Sequence, residues 1–294
     1  MIPIVDAHHH VWRHGDLPWL KGPMVPRIFG PYEAIRRDYP ISEYLADIKG
    51  CGVEKSVYVQ TNWPKEQAID EACFVQSIAD ARGWPHAMVG YADLLSDSAP
   101  ATLAALAKFP AMRGIRMQLH WHEDPLYRFA PEPDLMNRPV FRKNFAHLAD
   151  FGMSFDLQVF TSQMADAARL AAEFPRTTFI LQHAGMLEDH SSAGRQAWRD
   201  GMKRLADQPN IVTKLSGLGT FIHRNDTAHI SGIAAEAVEC FGSGRCLFGS
   251  NFPIEKLWTG YAELISSHRA ALTSIATKDQ QAILHGNACR IYRL

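Results

Sequence analysis

The 294-residue sequence predicts a single (β/α)8 TIM barrel, with residues 1–294 forming one domain. Three observations predict it. Eight short apolar or β-branched runs alternate with helical segments along the chain, and eight parallel βα units close a barrel. Neither a linker nor a change of composition divides the sequence into two open-sheet domains. No Gly-rich phosphate loop follows any of the runs, which argues against a dinucleotide fold.

Taken in order, the first run is Ile2 to Val5, which ends at Asp6 and delivers His8, His9 and His10. Side chains alternate in an extended segment, so His8 and His10 point one way and His9 the other. Two imidazoles on one face can bind one cation or polarise one carbonyl. Residues 13–42 carry prolines, glycines and aromatics without a period, as expected of a long structured loop over a barrel site. Trp12, Trp19 and Tyr32 are candidates to line a pocket there. A helix follows from Ser42, its possible N-cap, to Gly50 or Gly52.

The second strand is Lys55 to Gln60. A helix over 65–82 closes at Gly83-Trp84-Pro85. Strand three is Ala87 to Leu94, followed by an alanine-rich helix over 99–108. Strand four, Arg113 to His120, leads into an irregular loop over 121–137 and a helix from Arg138 to Gly152. Strand five is Met153 to Phe160, with a helix over 162–174. Strand six is Thr177 to His183, with a helix near 193–207. Strand seven is Asn210 to Ser216, with a helix near 228–241. Strand eight is Arg245 to Ser250, and two helices fill 259–292.

Several strands alternate more than a fully buried strand requires. Arg116, Gln118 and His120 oppose Ile115, Met117 and Leu119; Ser154, Asp156 and Gln158 oppose Phe155, Leu157 and Val159; Ser56, Tyr58 and Gln60 oppose Val57 and Val59. Helices must cover the apolar faces, which turns the polar ones into the barrel. Polar groups there cost free energy unless paired or solvated, so they converge on a wet or ligand-filled mouth. His8, His10, Gln60, His120, His183 and Asn251 all fall at C-terminal strand ends, where barrel sites lie.

Composition narrows the partners. Thirty basic and 31 acidic residues give a net charge of −1, which suggests no nucleic-acid partner and no membrane surface. No apolar run is long enough to span a bilayer, and no secretory signal is visible. The five cysteines, Cys51, Cys73, Cys240, Cys246 and Cys289, form no C-x-x-C pair and read as reduced, mostly buried thiols of a cytoplasmic protein.

These motifs resemble the amidohydrolase superfamily. Asp6-Ala-His8-His9-His10-Val-Trp12 is similar to its first-strand H-x-H motif, and Leu181-Gln-His183-Ala-Gly185 to its sixth-strand histidine. Phe248-Gly-Ser-Asn251-Phe-Pro253 sits where that superfamily carries an eighth-strand aspartate. Arg113-Gly-Ile-Arg116, Val212-Thr-Lys214-Leu-Ser-Gly217 and Gly286-Asn-Ala-Cys-Arg290-Ile-Tyr292 bring the resemblance closest to the amidohydrolase-related lactonases, including the fuconolactonase and 2-pyrone-4,6-dicarboxylate lactonase groups. It runs the whole length of the chain.

The resemblance implies a metal-dependent or metal-assisted hydrolase that opens a sugar-acid or related lactone. His8, His10, His183 and Asn251 become the catalytic candidates. His8, His10 and His183 are also candidate ligands of one divalent ion, zinc, which need not be essential. Arg116, Gln118, His120, Gln60 and Trp12 become candidate contacts for a lactone or carboxylate. A homo-oligomer is compatible with this reading.

For Arg116 an anion clamp and a buried ion pair with Asp156 weigh evenly, and Lys214 leans to a structural role. Asn251 is the departure, since an amide has no useful basicity. The base then lies elsewhere, with His183, His120 or Glu255 as candidates, or a metal activates the water, or hydrolysis is lost. A decarboxylase or hydratase of the same superfamily and a non-catalytic sugar-acid-binding barrel are the alternatives.

Overall fold

The structure, a computed structural model, describes residues 2–294. Met1 lies outside the described residues. Eight parallel strands run in chain order: β1 Ile4–His9, β2 Val53–Val59, β3 Ala87–Gly90, β4 Met112–Ile115, β5 Ser154–Leu157, β6 Phe179–Leu181, β7 Ile211–Leu215 and β8 Cys246–Phe248. Backbone contacts close the seam between β8 and β1. His9 bridges Phe252, the Asn251 amide donates to the His8 carbonyl at 2.7 Å, and the His10 amide donates to the Phe252 carbonyl at 2.8 Å.

The inside of the barrel has an apolar floor and a polar top. Val5, Ala7, Val57, Val59, Val89, Ile180, Val212 and Leu247 form one cluster that Ala288 and Tyr292 of the C-terminal helix seal from below. On β4, β5 and their extensions the outward side chains Ile115, Met117, Leu119, Phe155, Leu157 and Val159 pack in the larger core under the helices. Arg116, Gln118, Asp156 and Gln158 take the inner side, as their alternation predicts.

Strand two corrects the expectation. Val57 and Val59 face inward, whereas Tyr58 packs outward, its hydroxyl donating to Glu71 of the following helix at 2.8 Å. A β-branched pair fills the narrow floor, and the outward tyrosine finds a buried partner, so the apolar face wins the interior here.

A bulge in β1 places the histidines. Asp6 pairs with Ser56 and His9 with Tyr58, so three steps on β1 match two on β2. The extra residue reverses the alternation, as bulges do. Val5 and Ala7 therefore point to the floor while His8 and His10 also point inward. His9 turns out and stacks on Tyr44 at 3.9 Å.

Asp6 anchors this seam. It is fully buried and accepts from the Ser250 amide (2.8 Å), the Ser250 hydroxyl (2.6 Å), the Tyr44 and Tyr261 hydroxyls (both 3.0 Å) and the His8 amide (3.1 Å). Removing the carboxylate leaves several buried donors unpaired, each costing about 1–3 kcal/mol. Asp6→Ala is expected to lower stability by about 3–5 kcal/mol and the thermal midpoint on the order of 10 °C. A calorimetric midpoint within 2 °C of the native one would remove this anchor from the account.

The helices follow the predicted order at Ile41–Asp47, Ala68–Arg82, Ala99–Leu106, Pro139–Phe145 with His147–Asp150, Met164–Glu173, Ser192–Ala206, Thr227–Phe241 and Tyr261–Ala271. Ser42 does not cap the first: Pro40 occupies the N-cap, with no side-chain bond, and Ser42 is already inside the helix. Gly83 closes the Ala68–Arg82 helix at φ +69°, a left-handed cap that glycine adopts without strain. The last segment is Thr277–Gln281, a π turn over Ala282–Gly286, and Asn287–Tyr292. The cysteines are all free, but Cys51 and Cys246 alone are buried and Cys73 is exposed. No helix among the described residues is long and apolar enough to cross a membrane.

Candidate active site

A cavity of about 230 Å³ opens at the C-terminal ends of the strands. Its floor carries His10, Arg116, Gln118, His120, Gln158, His183 and Asn251, and its roof comes from residues 13–42 and 121–137. His8 lies directly beneath. The His8 ring stands 5.0 Å from that of His10 and 4.8 Å from that of His183. His10 donates from Nδ1 to the Val59 carbonyl at 2.7 Å, which leaves Nε2 with its lone pair. His183 Nδ1 pairs with the Ser216 hydroxyl at 3.0 Å. Both ring nitrogens of His8 are buried without a partner.

Tight backbone packing makes room for these rings. Gly217 has φ +59°, and a Cβ there would lie 2.5 Å from His183 Nδ1. A Cβ on Gly249 would lie 2.7 Å from the His8 Cβ. The chain after β6 turns through left-handed backbone at His183 (φ 53°), Ala184 (48°) and Met186 (50°), and Asn251 after β8 has φ 58°. Such conformations cost non-glycine residues free energy and concentrate at functional sites. Asparagine tolerates this region better than most, which gives Asn251 a backbone reason beside any chemical one.

Burial governs the electrostatics. It holds His8 and His10 well below the ordinary histidine range, helped by Lys214 for His8 and Arg116 for His10. Burial, with Arg116 next, pushes His120 and His183 down to about 3. Burial also brings Arg116 down to about 10, opposed mainly by Asp156. At neutral pH the site is therefore a set of uncharged imidazoles around one guanidinium.

Three buried histidines other than His8, His10 and His183 give a direct test. Burial takes His9 and His120 down to about 3 and His268 to about 4. Unfolded histidines titrate near 6.5, so below that pH the unfolded chain binds more protons than the folded one. The stability is present above pH 6.5 and is lost as the pH falls, by up to about 1.4 kcal/mol per unit for each histidine. Denaturant midpoints are expected to drop clearly between pH 7 and pH 5. Equal midpoints would mean that these rings are not held neutral.

Most of the residues expected at the site converge. Trp12, His10, Arg116, Gln118, His120, His183 and Asn251 line the cavity. Gln60 does not. It is fully buried and braces Arg116: its carbonyl accepts from Arg116 Nη2 at 2.5 Å, and its Nε2 donates to the Arg116 carbonyl at 3.4 Å. Of the two roles weighed for Arg116, the ion pair with Asp156 does not form. Lys214 Nζ reaches Asp156 at 2.7 Å, with both side chains fully buried, so Arg116 keeps its Nε without a partner. Glu255 lies buried behind Asn251, hydrogen-bonded to Trp258 Nε1 at 2.9 Å, with its carboxyl pushed up to about 8 by burial. Tyr32 packs behind the roof and Trp19 lines it.

Arg27, Phe29, Phe129, Met186 and Phe221 also line the cavity and escaped the sequence reading. They sit on loops, where no period marks a facing side. Among the described residues, no three His, Cys, Asp or Glu side chains are gathered into a ready-made metal cage.

A model of the amidohydrolase family matches residues 5–294. The chain belongs to the amidohydrolase family. This amidohydrolase is 34% identical over 295 residues to the uncharacterized protein y4mH of Sinorhizobium fredii, a match covering 100% of this chain and 99% of that one. It is 26% identical over 296 residues to the L-fucono-1,5-lactonase of Burkholderia ambifaria, covering 99% and 95%. Its fold superposes on a zinc-bound amidohydrolase from Burkholderia multivorans with a TM-score of 0.83 and 25% identity, covering 99% of both chains.

Proposed function

We propose that this amidohydrolase is a lactonase that opens a sugar-acid or related lactone by attack of water on the ester carbonyl. One observation carries the reading. Neutral His10 and His183 share a cavity with the unpaired Nε edge of Arg116, and His8 supports both from below. The similarity to a fuconolactonase over nearly the whole chain supports it.

The chain's own groups divide the work. Arg116 binds an anionic group of the substrate through its fork. Asn251 holds water or the carbonyl oxygen by hydrogen bonds and takes no proton. His120 lines the cavity with Nδ1 unpaired and moves the proton. An anion on Arg116 neutralises one of the charges that depress His120 and so raises its basicity when substrate is bound. Water oxygen bonds to the carbonyl carbon, the ring C–O bond breaks, and the departing oxygen takes the proton to become a hydroxyl. The product is a hydroxy acid that releases one proton at neutral pH.

The imidazole chemistry suits a divalent ion, although the three rings are not gathered into a preformed cage. His8, His10 and His183 are neutral imidazoles, and the one unprotonated ring nitrogen of His8 is a lone pair without a partner that a cation would satisfy. Zinc held there would polarise the carbonyl and lower the pKa of bound water.

Proton release from a panel of carboxylated and neutral lactones tests the reading. Turnover without carbon dioxide is expected. Carbon dioxide release from an aromatic acid, with every lactone inert, would favour a decarboxylase instead.

A further inference from the structure

Residues 22–30 of the roof bring Arg27, Ile28 and Phe29 to the cavity. Arg27 Nε is buried there without a partner, so it is free to meet a ligand. It can do so only while its segment stays closed over the mouth. Most of the bonds made by this segment tie the roof to itself. The Gly30 amide donates to the Arg27 carbonyl at 2.9 Å, and Arg36 Nη2 to the Gly22 carbonyl at 2.8 Å. Phe29 packs between Trp19 and Tyr32 of the same stretch. Among the described residues one hydrogen bond joins 22–30 to the chain beyond 13–42. His223 Nε2 donates to the Ile28 carbonyl at 3.0 Å.

The imidazole is fitted to its seat. Gly30 has φ +75°, a conformation that glycine adopts freely. A Cβ there would lie 3.1–3.3 Å from three atoms of the His223 ring, so the ring occupies the space of a side chain. His223 itself holds left-handed backbone, φ 52°, which is unfavourable for a residue with a side chain.

The turn that carries His223 is firmly built on β7. The Thr220 amide donates to the Gly217 carbonyl at 3.2 Å, and the His223 amide to the Gly219 carbonyl at 2.8 Å. A Cβ on Gly219 would lie 2.7 Å from the Arg224 carbonyl oxygen. Gly217 abuts the His183 ring at the start of this turn. Phe221, in its middle, lines the cavity and packs 5.8 Å from Tyr127 of the other roof segment. One turn therefore touches His183 and both halves of the roof, and its last contact is the imidazole on Ile28 and Gly30.

We propose that His223 is a positioning residue that holds residues 22–30 closed over the cavity, so that Arg27 and Phe29 meet the bound substrate. Its effect on turnover rests on the lactonase reading, whereas the closure itself does not.

Trypsin cleaves after arginine, and in the native protein its cut at Arg27–Ile28 reports how often this segment opens. His223→Asn keeps a residue that tolerates left-handed backbone and loses the reach to Ile28. Mass spectrometry of timed native-state digests should show this cut speeded about threefold to tenfold, the scale of one hydrogen bond with its packing. Gly30→Ala, whose methyl group displaces the ring, should speed the same cut. The double variant should be little worse than Gly30→Ala alone, because both changes break one contact. In these variants KM for a carboxylated lactone should rise by a similar factor while kcat stays within about twofold, as expected when binding contacts alone are loosened. Cutting at the native rate in both single variants would overturn the proposal. Faster cutting with KM unchanged would overturn the positioning role. If the native protein turns over no lactone, the lactonase reading falls, and the cutting rate still decides whether His223 holds the roof.

Discussion

Arg116→Met is expected to lower kcat/KM for a carboxylated lactone by about 100- to 1000-fold, the loss typical of a desolvated charged contact made to substrate. The guanidinium is buried and reaches the protein through the Gln60 carbonyl and, at 3.5 Å, Gln158 Oε1, while Nε remains free. Methionine keeps much of the volume and removes a buried charge, so stability should change by only about 1 kcal/mol. A neutral lactone should lose far less. The same change removes a positive charge that depresses His120, so any acid limb carried by His120 should move to higher pH. Steady-state kinetics against pH checks both. An equal loss on charged and neutral lactones would assign Arg116 to the barrel wall alone.

His183→Asn is expected to reduce turnover by at least about 1000-fold, on the scale of losing a principal catalytic group. It should leave the fold within a few degrees of the native midpoint. Asparagine tolerates the left-handed backbone that His183 adopts at φ 53°, so the turn after β6 survives. The imidazole that packs 4.8 Å from His8 is lost, and with it one of the three donors available to zinc. Elemental analysis after growth in zinc should show less metal than in the native protein. Retained activity with a changed midpoint would make His183 a packing residue.

The barrel was legible because most strands repeat one signal, a short apolar run with a polar residue at its C-terminal end. His8, His10, Arg116, His120, His183 and Asn251 were legible for the same reason, since strand ends are placed by the sheet rather than by the loops. Strand two misled because inward and outward faces are decided by what the floor can hold, and Val57 with Val59 fits where a tyrosine would not. Gln60 misled because it follows that outward register. The roof was only half visible. Trp12 and Trp19 are rare enough to draw notice, but Arg27, Phe29 and Phe129 sit in segments without a period, and only tertiary folding brings them over the mouth. The bulge in β1 carries no sequence mark either, yet it is what turns His8 and His10 inward together.

Ring opening in water enriched with 18O, followed by mass spectrometry of the hydroxy acid, tests the central claim most directly. Attack of water on the ester carbonyl places one heavy oxygen in the product carboxylate and none in the new hydroxyl. The account predicts that pattern for a carboxylated lactone, with the rate lost in His183→Asn. Label in the hydroxyl, or ring opening that proceeds unchanged in His183→Asn, would contradict it.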